Sequence, residues 1–257
     1  MKQAQIIFLE EIAANAWPPL RVQHLAEWRL RYSDGVHSRA NSVLPNGDDG
    51  RLSLDERLTM VEAFYKRLDL PARYQISPAA QPANLDAVLE ERGYKLYEPV
   101  QVQTAVIDRF LSVHLFSQTK TTVRTTIHTA LPDAWLAFDN RVAQHSLHRA
   151  QVRSQILRQI APQTAFATAY LEGQIAGIGL GVYERGWLGI FNMLTAPLQR
   201  KKGVGTAVLN ALAHWAKQQG ADHAYLQVVA ANIAAQALYR RVGFTYHHSY
   251  HYRQQPT

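Results

Sequence analysis

The stretch Asn192-Met-Leu-Thr-Ala-Pro-Leu-Gln-Arg-Lys-Lys-Gly-Val-Gly-Thr206 combines residue types that could hold an anion. It reads as the end of a strand, a short turn and the first turn of a basic, glycine-rich helix. Gly203 and Gly205 let the backbone come close to a ligand. The first helical turn leaves N–H groups without intrahelical acceptors at the positive end of the helix dipole. A diphosphate suits such a site. The following helix is anchored by Val204, Ala207, Val208, Ala211, Leu212 and Trp215 at helical spacing, with Gly220 placed to stop it. A glycine pair after a strand is a weak motif by itself, and three adjacent basic residues are more often a solvated run.

The pattern continues downstream. Tyr225-Leu-Gln-Val-Val-Ala-Ala-Asn232 reads as a strand, and Ala234-Ala-Gln-Ala-Leu-Tyr-Arg-Arg-Val-Gly-Phe244 as a short helix ending at a glycine. Taken together, Pro197-x-x-Arg200-x-x-Gly203-x-Gly205, Asn232 and Leu238-Tyr239-x-x-x-Gly243-Phe244 resemble the GNAT superfamily of acyl-CoA-dependent N-acetyltransferases, over about the last half of the chain. The resemblance implies acetyl-CoA as co-substrate and a primary amine as acceptor. It implies that the backbone of Met193, Leu194 and Thr195 holds the pantetheine arm and helps with the oxyanion. Arg200, Lys201, Lys202, Gly203, Val204, Gly205 and Thr206 would form the pyrophosphate turn. Asn232 would cap the short helix and touch the cofactor arm, although capping alone explains an asparagine there. Tyr239 would protonate the departing thiolate; without the pattern it reads as a core aromatic.

Acetyl transfer to an amine needs the thioester held in line, its oxyanion stabilised, the amine neutral and the thiolate protonated. Many family members carry a glutamate as base five positions before the asparagine. Here that position is Gln227, which takes no proton at neutral pH. The base is left among a water chain, His223, Tyr183 and Glu184, or none if the amine has a low pKa. His247, His248 and His251 occupy a terminal strand, where a solvated or lip position is expected rather than a metal site.

The elements that must position these residues follow from periodicity. A helix is expected over 4–16, stopped by Trp17-Pro18-Pro19, then a hairpin turning at Ser33-Asp34-Gly35 between Glu27 to Tyr32 and Val36 to Leu44. A helix over 54–68 is opened by Ser53 and Glu56 at capping-box spacing. A strand over 72–76, a helix over 84–92 and a strand from Tyr94 to about Ile107 complete the first half. The second half predicts a strand over 122–129, helices opened at Leu131-Pro132-Asp133 and covering 145–160, and strands over 165–171, 175–183 and 187–194. Gly177, Gly179 and Gly181 share one face of the middle strand, leaving room for a ligand, another backbone or a closely packed helix.

The two halves look like a repeat. Asn41-Ser-Val-Leu-Pro45 answers Asn192-Met-Leu-Thr-Ala-Pro197, and Leu89-Glu-Glu-Arg-Gly-Tyr94 answers Tyr239-Arg-Arg-Val-Gly-Phe244. Asn46-Gly-Asp-Asp-Gly50 stands where the basic turn would be, and its acidic residues would repel a diphosphate. The expected fold class is therefore mixed α/β, two tandem GNAT-like domains, each a mostly antiparallel sheet flanked by helices. Residues 1–117 would be a degenerate copy without a cofactor site and 118–257 the catalytic copy, with the join within Ser117 to Lys120. Asp34 to Asn41 is polar enough to be noticed, and a solvated hairpin turn accounts for it.

Composition limits the alternatives. The 257 residues are 47% hydrophobic and 18% charged, with no cysteine, so disulfides, thiolate ligands and a cysteine nucleophile are excluded. No apolar run reaches bilayer length and no signal-like block follows the start, so a soluble, cytoplasmic protein without a membrane partner is expected. The net charge of +7 admits a nucleic-acid partner, but the basic residues concentrate only at the phosphate turn, and no nucleic acid is expected. A non-catalytic acyl-CoA-binding or protein-interaction module is the rival to an enzyme, supported by Gln227. The acceptor amine, small molecule or peptide, and the oligomeric state stay open.

Overall fold

The computed structural model describes residues 2–114 and 123–256. The chain forms two compact units that do not follow a single cut in the sequence. One comprises Met1–Gln101, Val229–Ala231 and His248–Thr257; the other comprises Val102–Val228 and Asn232–His247. The join expected within Ser117 to Lys120 lies outside the described residues.

The first unit contains α1 (Lys2–Ala16), β1 (Arg21–Leu25), β2 (Trp28–Tyr32), β3 (Val43–Leu44), α2 (Leu54–Lys66), β4 (Arg73–Ile76), α3 (Leu85–Glu91) and the start of β5 (Lys95–Val106). β1 and β2, then β2 and β3, pair antiparallel, and β3 lies parallel to β4 with Val43 opposite Tyr74. The core joins Trp28, Leu30 and Tyr74 of the sheet to Leu58, Val61 and Tyr65 of α2 and Leu85 and Leu89 of α3. Those helical positions recur every three to four residues, which is why one face of each helix is apolar.

The hairpin expected around Ser33 to Gly35 is present in a looser form: the Val36 N–H donates to the Ser33 carbonyl (2.9 Å), and β2 pairs antiparallel with β3, but only through Arg29 and Leu30 opposite Leu44 and Val43, and a tighter hairpin precedes it. The chain turns at Ala26 and Glu27, with Leu25 opposite Trp28 and Ala26 at φ 49°. Residues 33–41 form a loop tied down by the Asn41 carboxamide. Its oxygen accepts from the Ser33 N–H (2.7 Å) and the Gly35 N–H (3.0 Å), and its nitrogen donates to the Val36 and His37 carbonyls (2.5 and 2.9 Å). A side chain that binds several backbone groups holds the residues between the two strands in a loop, so the ladder of β2 with β3 is short.

The second unit contains the end of β5, α4 (Ile107–His114), β6 (Arg124–His128), α5 (Asp133–Val142), α6 (Leu147–Arg158), β7 (Gln163–Leu171), β8 (Gln174–Glu184), β9 (Trp187–Thr195), α7 (Val204–Gln218), β10 (His223–Val229) and α8 (Ile233–Arg241). β6, β7, β8 and β9 run antiparallel in that order, β10 lies parallel to β9, and β5 follows β10. The first unit repeats this scheme, with β11 (Thr245–Gln254) beyond β4; its residues His251 to Gln254 pair with Arg73 to Ile76. β5 and β11 are each divided between the units, with Lys95–Gln101 and His248–Gln254 in the first and Val102–Val106 and Thr245–His247 in the second, which is why neither unit is a continuous segment.

Gly177, Gly179 and Gly181 of β8 lie under α7. A Cβ at Gly177 would come 2.5 Å from Val204 Cγ1, one at Gly179 2.5 Å from Val208 Cγ1, and one at Gly181 3.0 Å from Leu212 Cδ2. The glycines are absent side chains that let a helix lie close, rather than a ligand channel. Val204, Val208 and Leu212 are buried and occupy that space.

Candidate functional site

The second unit's parallel pair stops early. β9 and β10 are in register from Trp187 and His223 to Ile190 and Leu226, yet β9 continues to Thr195. The cause lies in β9 itself: Leu180 faces Phe191, whereas Ile178 faces Leu194, so Asn192 and Met193 together stand opposite Gly179. Asn192 takes φ 48°, the left-handed conformation that asparagine tolerates better than most residues. This bulge bends the strand and ends the ladder. From Asn192 to Thr195 the β10 side of β9 carries no register partner, and an extended chain could take up its backbone groups.

A 3-10 turn (Pro197–Gln199) leads on to the start of α7. Gly203 is the N-cap at φ 83°, where a side chain would be strained, and Lys201 precedes it at φ 63°. The Ala207 N–H donates to the Gly203 carbonyl (2.9 Å), so the amides of Val204, Gly205 and Thr206 precede the helical ladder. No side chain caps them and no acidic residue lies in the first turn. Lys202 Nζ donates to Gln199 Oε1 (2.8 Å), and Arg200 and Lys201 flank it. Positive dipole, free amides and three cations fit a polyanion such as a pyrophosphate.

The predicted residues converge in part. A Cβ on Gly205 would lie 3.2 Å from Leu238 Cδ2 and 3.9 Å from Thr195 Oγ1, which brings the start of α7, the end of β9 and α8 together. Met193, Val204, Leu238 and Tyr239 share one apolar cluster. Val204 contributes a side chain to the core, so only its amide is free for a ligand. Asn232 caps α8, its Oδ1 accepting from the Ala235 N–H (3.1 Å). Tyr239 is 8% exposed and packs edge-on against Phe244. Burial pushes its hydroxyl up to about 12, so the phenol keeps its proton throughout the neutral range.

Three base candidates are displaced. His223 stacks on Trp187, their rings 4.6 Å apart, and pairs with it at the far end of β9. Tyr183 and Glu184 face Leu188 and Trp187 at that same end. Met193 lies six positions beyond Trp187, roughly 20 Å at the rise of a strand. Antiparallel and parallel registers both send these groups away from the bulge, which spacing along the sequence does not reveal. Gln227 follows the last paired residue of β10.

The histidines of β11 also differ from expectation. His248 is buried in the first unit because His248, Tyr250 and Tyr252 face inward on alternate positions. His251 is half-buried, its Nε2 3.0 Å from Asp86 Oδ1, where Arg253 Nε also donates (2.7 Å). Among the described residues no group of three or more His, Asp or Glu is placed to hold a metal ion, and no helix is long and apolar enough to cross a membrane. Sequence reasoning missed the bulge at Asn192, for which the only signal was an asparagine inside a strand pattern.

A mixed sheet with a bulged strand that loses its parallel neighbour, followed by an open helix start, is a fold shared with solved acetyltransferases. The family described as "Probable histone acetyltransferase Rv0428c C-terminal" matches residues 3–253. "Uncharacterized N-acetyltransferase YobR" of Bacillus subtilis (strain 168) is 30% identical over 249 residues, spanning 95% of this chain and 96% of that protein. The solved GCN5-related N-acetyltransferase from Kribbella flavida superposes with a TM-score of 0.72 at 15% identity, covering 98% and 95% of the two chains. A tandem GNAT protein from the clavulanic acid biosynthesis pathway gives 0.68 at 12% identity, covering 97% and 88%. The chain belongs to the GNAT superfamily of N-acetyltransferases, in the family of that description. Acyl transfer is its general activity.

Proposed function

We infer that this protein moves an acetyl or short acyl group from acetyl-CoA to a primary amine in the cytoplasm, and that the acceptor is a small molecule or a peptide. Residues 118–257 would be the catalytic copy and 1–117 a degenerate copy. The observation that carries this reading is the uncapped first turn of α7 beside the unpaired end of β9. Acetyl-CoA would supply an activated thioester. The amides of Val204 to Thr206, with Arg200, Lys201 and Lys202, would hold its pyrophosphate, and the backbone of Met193 to Thr195 its pantetheine arm.

The amine nitrogen attacks the carbonyl carbon as a neutral base, the C–S bond breaks, and the electron pair leaves on sulfur. Tyr239 donates a hydrogen bond to that sulfur. A phenol near 12 is a weaker acid than a thiol near 8.5, so the net proton reaches sulfur from the ammonium by way of water. Gln227 can orient a water or the amine but takes no proton. The test is release of coenzyme A from acetyl-CoA, measured as free thiol, across a panel of primary amines. Turnover with at least one amine is expected. Tight acetyl-CoA binding with no turnover on any of them would favour the binding-module reading.

A further inference from the structure

The first unit carries a cavity of about 540 Å³ to which the acyl-transfer reading gives no role. It lies where the end of β4, the start of α3, the first turn of α1 and β11 meet, and every residue lining it belongs to that unit. Ile76, Ala80 and Leu85, all buried, give it an apolar wall, and Gln3, Gln81 and Asp86 bring polar side chains to it. An apolar space of that size with a few polar groups is the usual form of a small-molecule site. Asp86 indicates the ligand's charge. Its Oδ1 lies 3.0 Å from His251 Nε2 and accepts from Arg253 Nε (2.7 Å), so that one atom ties α3 to β11. Oδ2 has no partner among the described residues, and the side chain is 39% exposed. The Gln3 and Gln81 carboxamides make no hydrogen bond among the described residues either. Burial pulls the Asp86 carboxyl up, but the bonds from Arg253 and His251 outweigh it and hold the group below the usual carboxylate range, so it is anionic at neutral pH. Arg253 is shared, because its Nη1 also donates to Glu90 Oε1 (3.3 Å). Two carboxylates on one guanidinium leave one negative charge in excess beside a neutral imidazole. No lysine or arginine lines the cavity, so it favours a cation over an anion.

We propose that the first unit binds a small primary ammonium with an apolar body in this cavity. The ammonium donates to Asp86 Oδ2, with the Gln3 and Gln81 carboxamide oxygens as further acceptors for its three N–H groups, and the body packs on Ile76, Ala80 and Leu85. A tie between helix and strand accounts for Oδ1 but not for the second, open oxygen beside an apolar cavity. The site does not depend on the acyl-transfer reading, since none of the residues assigned to that reaction belongs to this unit.

The experiment titrates the full chain, without acetyl-CoA, by calorimetry at about pH 8, where an alkylamine is a cation and an ordinary imidazole is neutral. The probes are n-hexylamine, with 1-hexanol and hexanoate as its neutral and anionic counterparts. The amine should bind at least about tenfold more tightly than either. Asp86→Asn keeps an oxygen for Arg253 and His251 but removes the charge, and should erase that preference. Ala83→Phe alters an exposed residue that lines the cavity and leaves the Asp86 tie intact. It should weaken the amine by about tenfold or more without lowering the thermal midpoint, and it decides the matter by itself if Asp86→Asn does not fold. A wild type that binds none of the probes, or binds the alcohol or the carboxylate as tightly as the amine, overturns the proposal. Amine affinity that survives in Ala83→Phe, or in both variants, overturns it as well and moves the amine to another site, the acceptor site of the second unit included.

Discussion

The two parallel strand pairs, β3 with β4 and β9 with β10, end differently. Beyond β3 the Pro45 carbonyl accepts from the Gln81 N–H (2.7 Å), and Trp28 Nε1 donates to the Gln81 carbonyl (3.0 Å), so the segment after β4 folds back and takes up the strand end. Beyond β9 the bulge leaves the backbone of Asn192 to Thr195 without such a partner in β10. The helix starts diverge in the same sense. At α2, Ser53 Oγ accepts from the Glu56 N–H (3.3 Å) and the Glu56 carboxylate accepts from the Ser53 N–H (2.8 Å), a closed capping box. The adjacent Asp48 and Asp49 pair with Arg57 and Arg51. Hydrogen bonds to Gly50 and to Arg51, respectively, hold their carboxyls below the usual range, so both stay anionic. The first unit has satisfied itself the groups that the second leaves open. Unpaired backbone is costly where no ligand completes it, and in the first unit the chain's own donors and acceptors do so.

The comparison breaks most visibly at Tyr239. Tyr239→Phe keeps the ring and its packing on Phe244 and removes the hydroxyl proposed above as the donor to sulfur. Loss of about a hundredfold in kcat is expected, with acetyl-CoA affinity nearly unchanged, by steady-state kinetics and calorimetry. Because the hydroxyl titrates near 12, the wild-type rate should climb with pH as the amine loses its proton and show no falling limb from Tyr239 below about pH 11. Full kcat in the variant, with chemistry rate-limiting, would remove Tyr239 from the mechanism. A smaller effect is expected at Gly203. Gly203→Asp sets a carboxylate against the open amides, at the N-cap position that Ser53 holds in α2, and should weaken acetyl-CoA by well over tenfold, or more than about 1.4 kcal/mol. Calorimetry on the unaltered chain should give one site. Two equivalent sites, or unchanged affinity in the variant, would erase the distinction between the units.

Much of this contrast is legible in the residues alone. Ser53 and Glu56 announce the capping box, and the glycine-rich basic turn announces the start of α7, because caps and turns are written in local sequence. The unpaired strand end is not legible, because it depends on which residues of β9 and β8 face one another, and one extra residue in a strand carries no local signature beyond Asn192. The base candidates fail for a related reason: His223, Tyr183 and Glu184 are near the motif in sequence, while register carries them to the other end of the sheet. The division of β5 and β11 between the units is equally hidden, since nothing in Val102 or His248 marks a boundary. The hairpin expected around Ser33 to Gly35 forms with a shorter ladder and a longer loop than its alternation implies, because the Asn41 carboxamide ties residues 33–37 into a loop.

The smallest expected effect separates the buried acids of the two units. In the second, Asp139 accepts from Arg153 Nη2 (2.7 Å) and Nε (3.2 Å), a fully spent pair. In the first, Glu10 of α1 is 2% exposed, and although Ser77, Asn46 and Gln75 approach, neither oxygen makes a hydrogen bond of good geometry. Arg31, the nearest cation, spends its donors on Ser42 and on Gln75 Oε1 (2.9 Å). Burial therefore raises the Glu10 pKa above the ordinary carboxylate value, against the weaker pull of those neighbours. An acid whose folded pKa lies above its unfolded one stabilises fully below the unfolded value, and that contribution is lost as pH rises through the folded value. The wild type should accordingly lose stability as pH climbs from about 4.5 towards neutrality, insofar as this group sets the slope. Glu10→Gln keeps the shape and removes the proton exchange. It should flatten that slope and gain about 1 kcal/mol near pH 8, where the wild type must hold an unpaired charge or a displaced proton. Urea denaturation at pH 5 and pH 8 checks this. A variant less stable than wild type at pH 8 would show that the Glu10 carboxylate has a partner strong enough to make it an asset, as Asp139 has in Arg153.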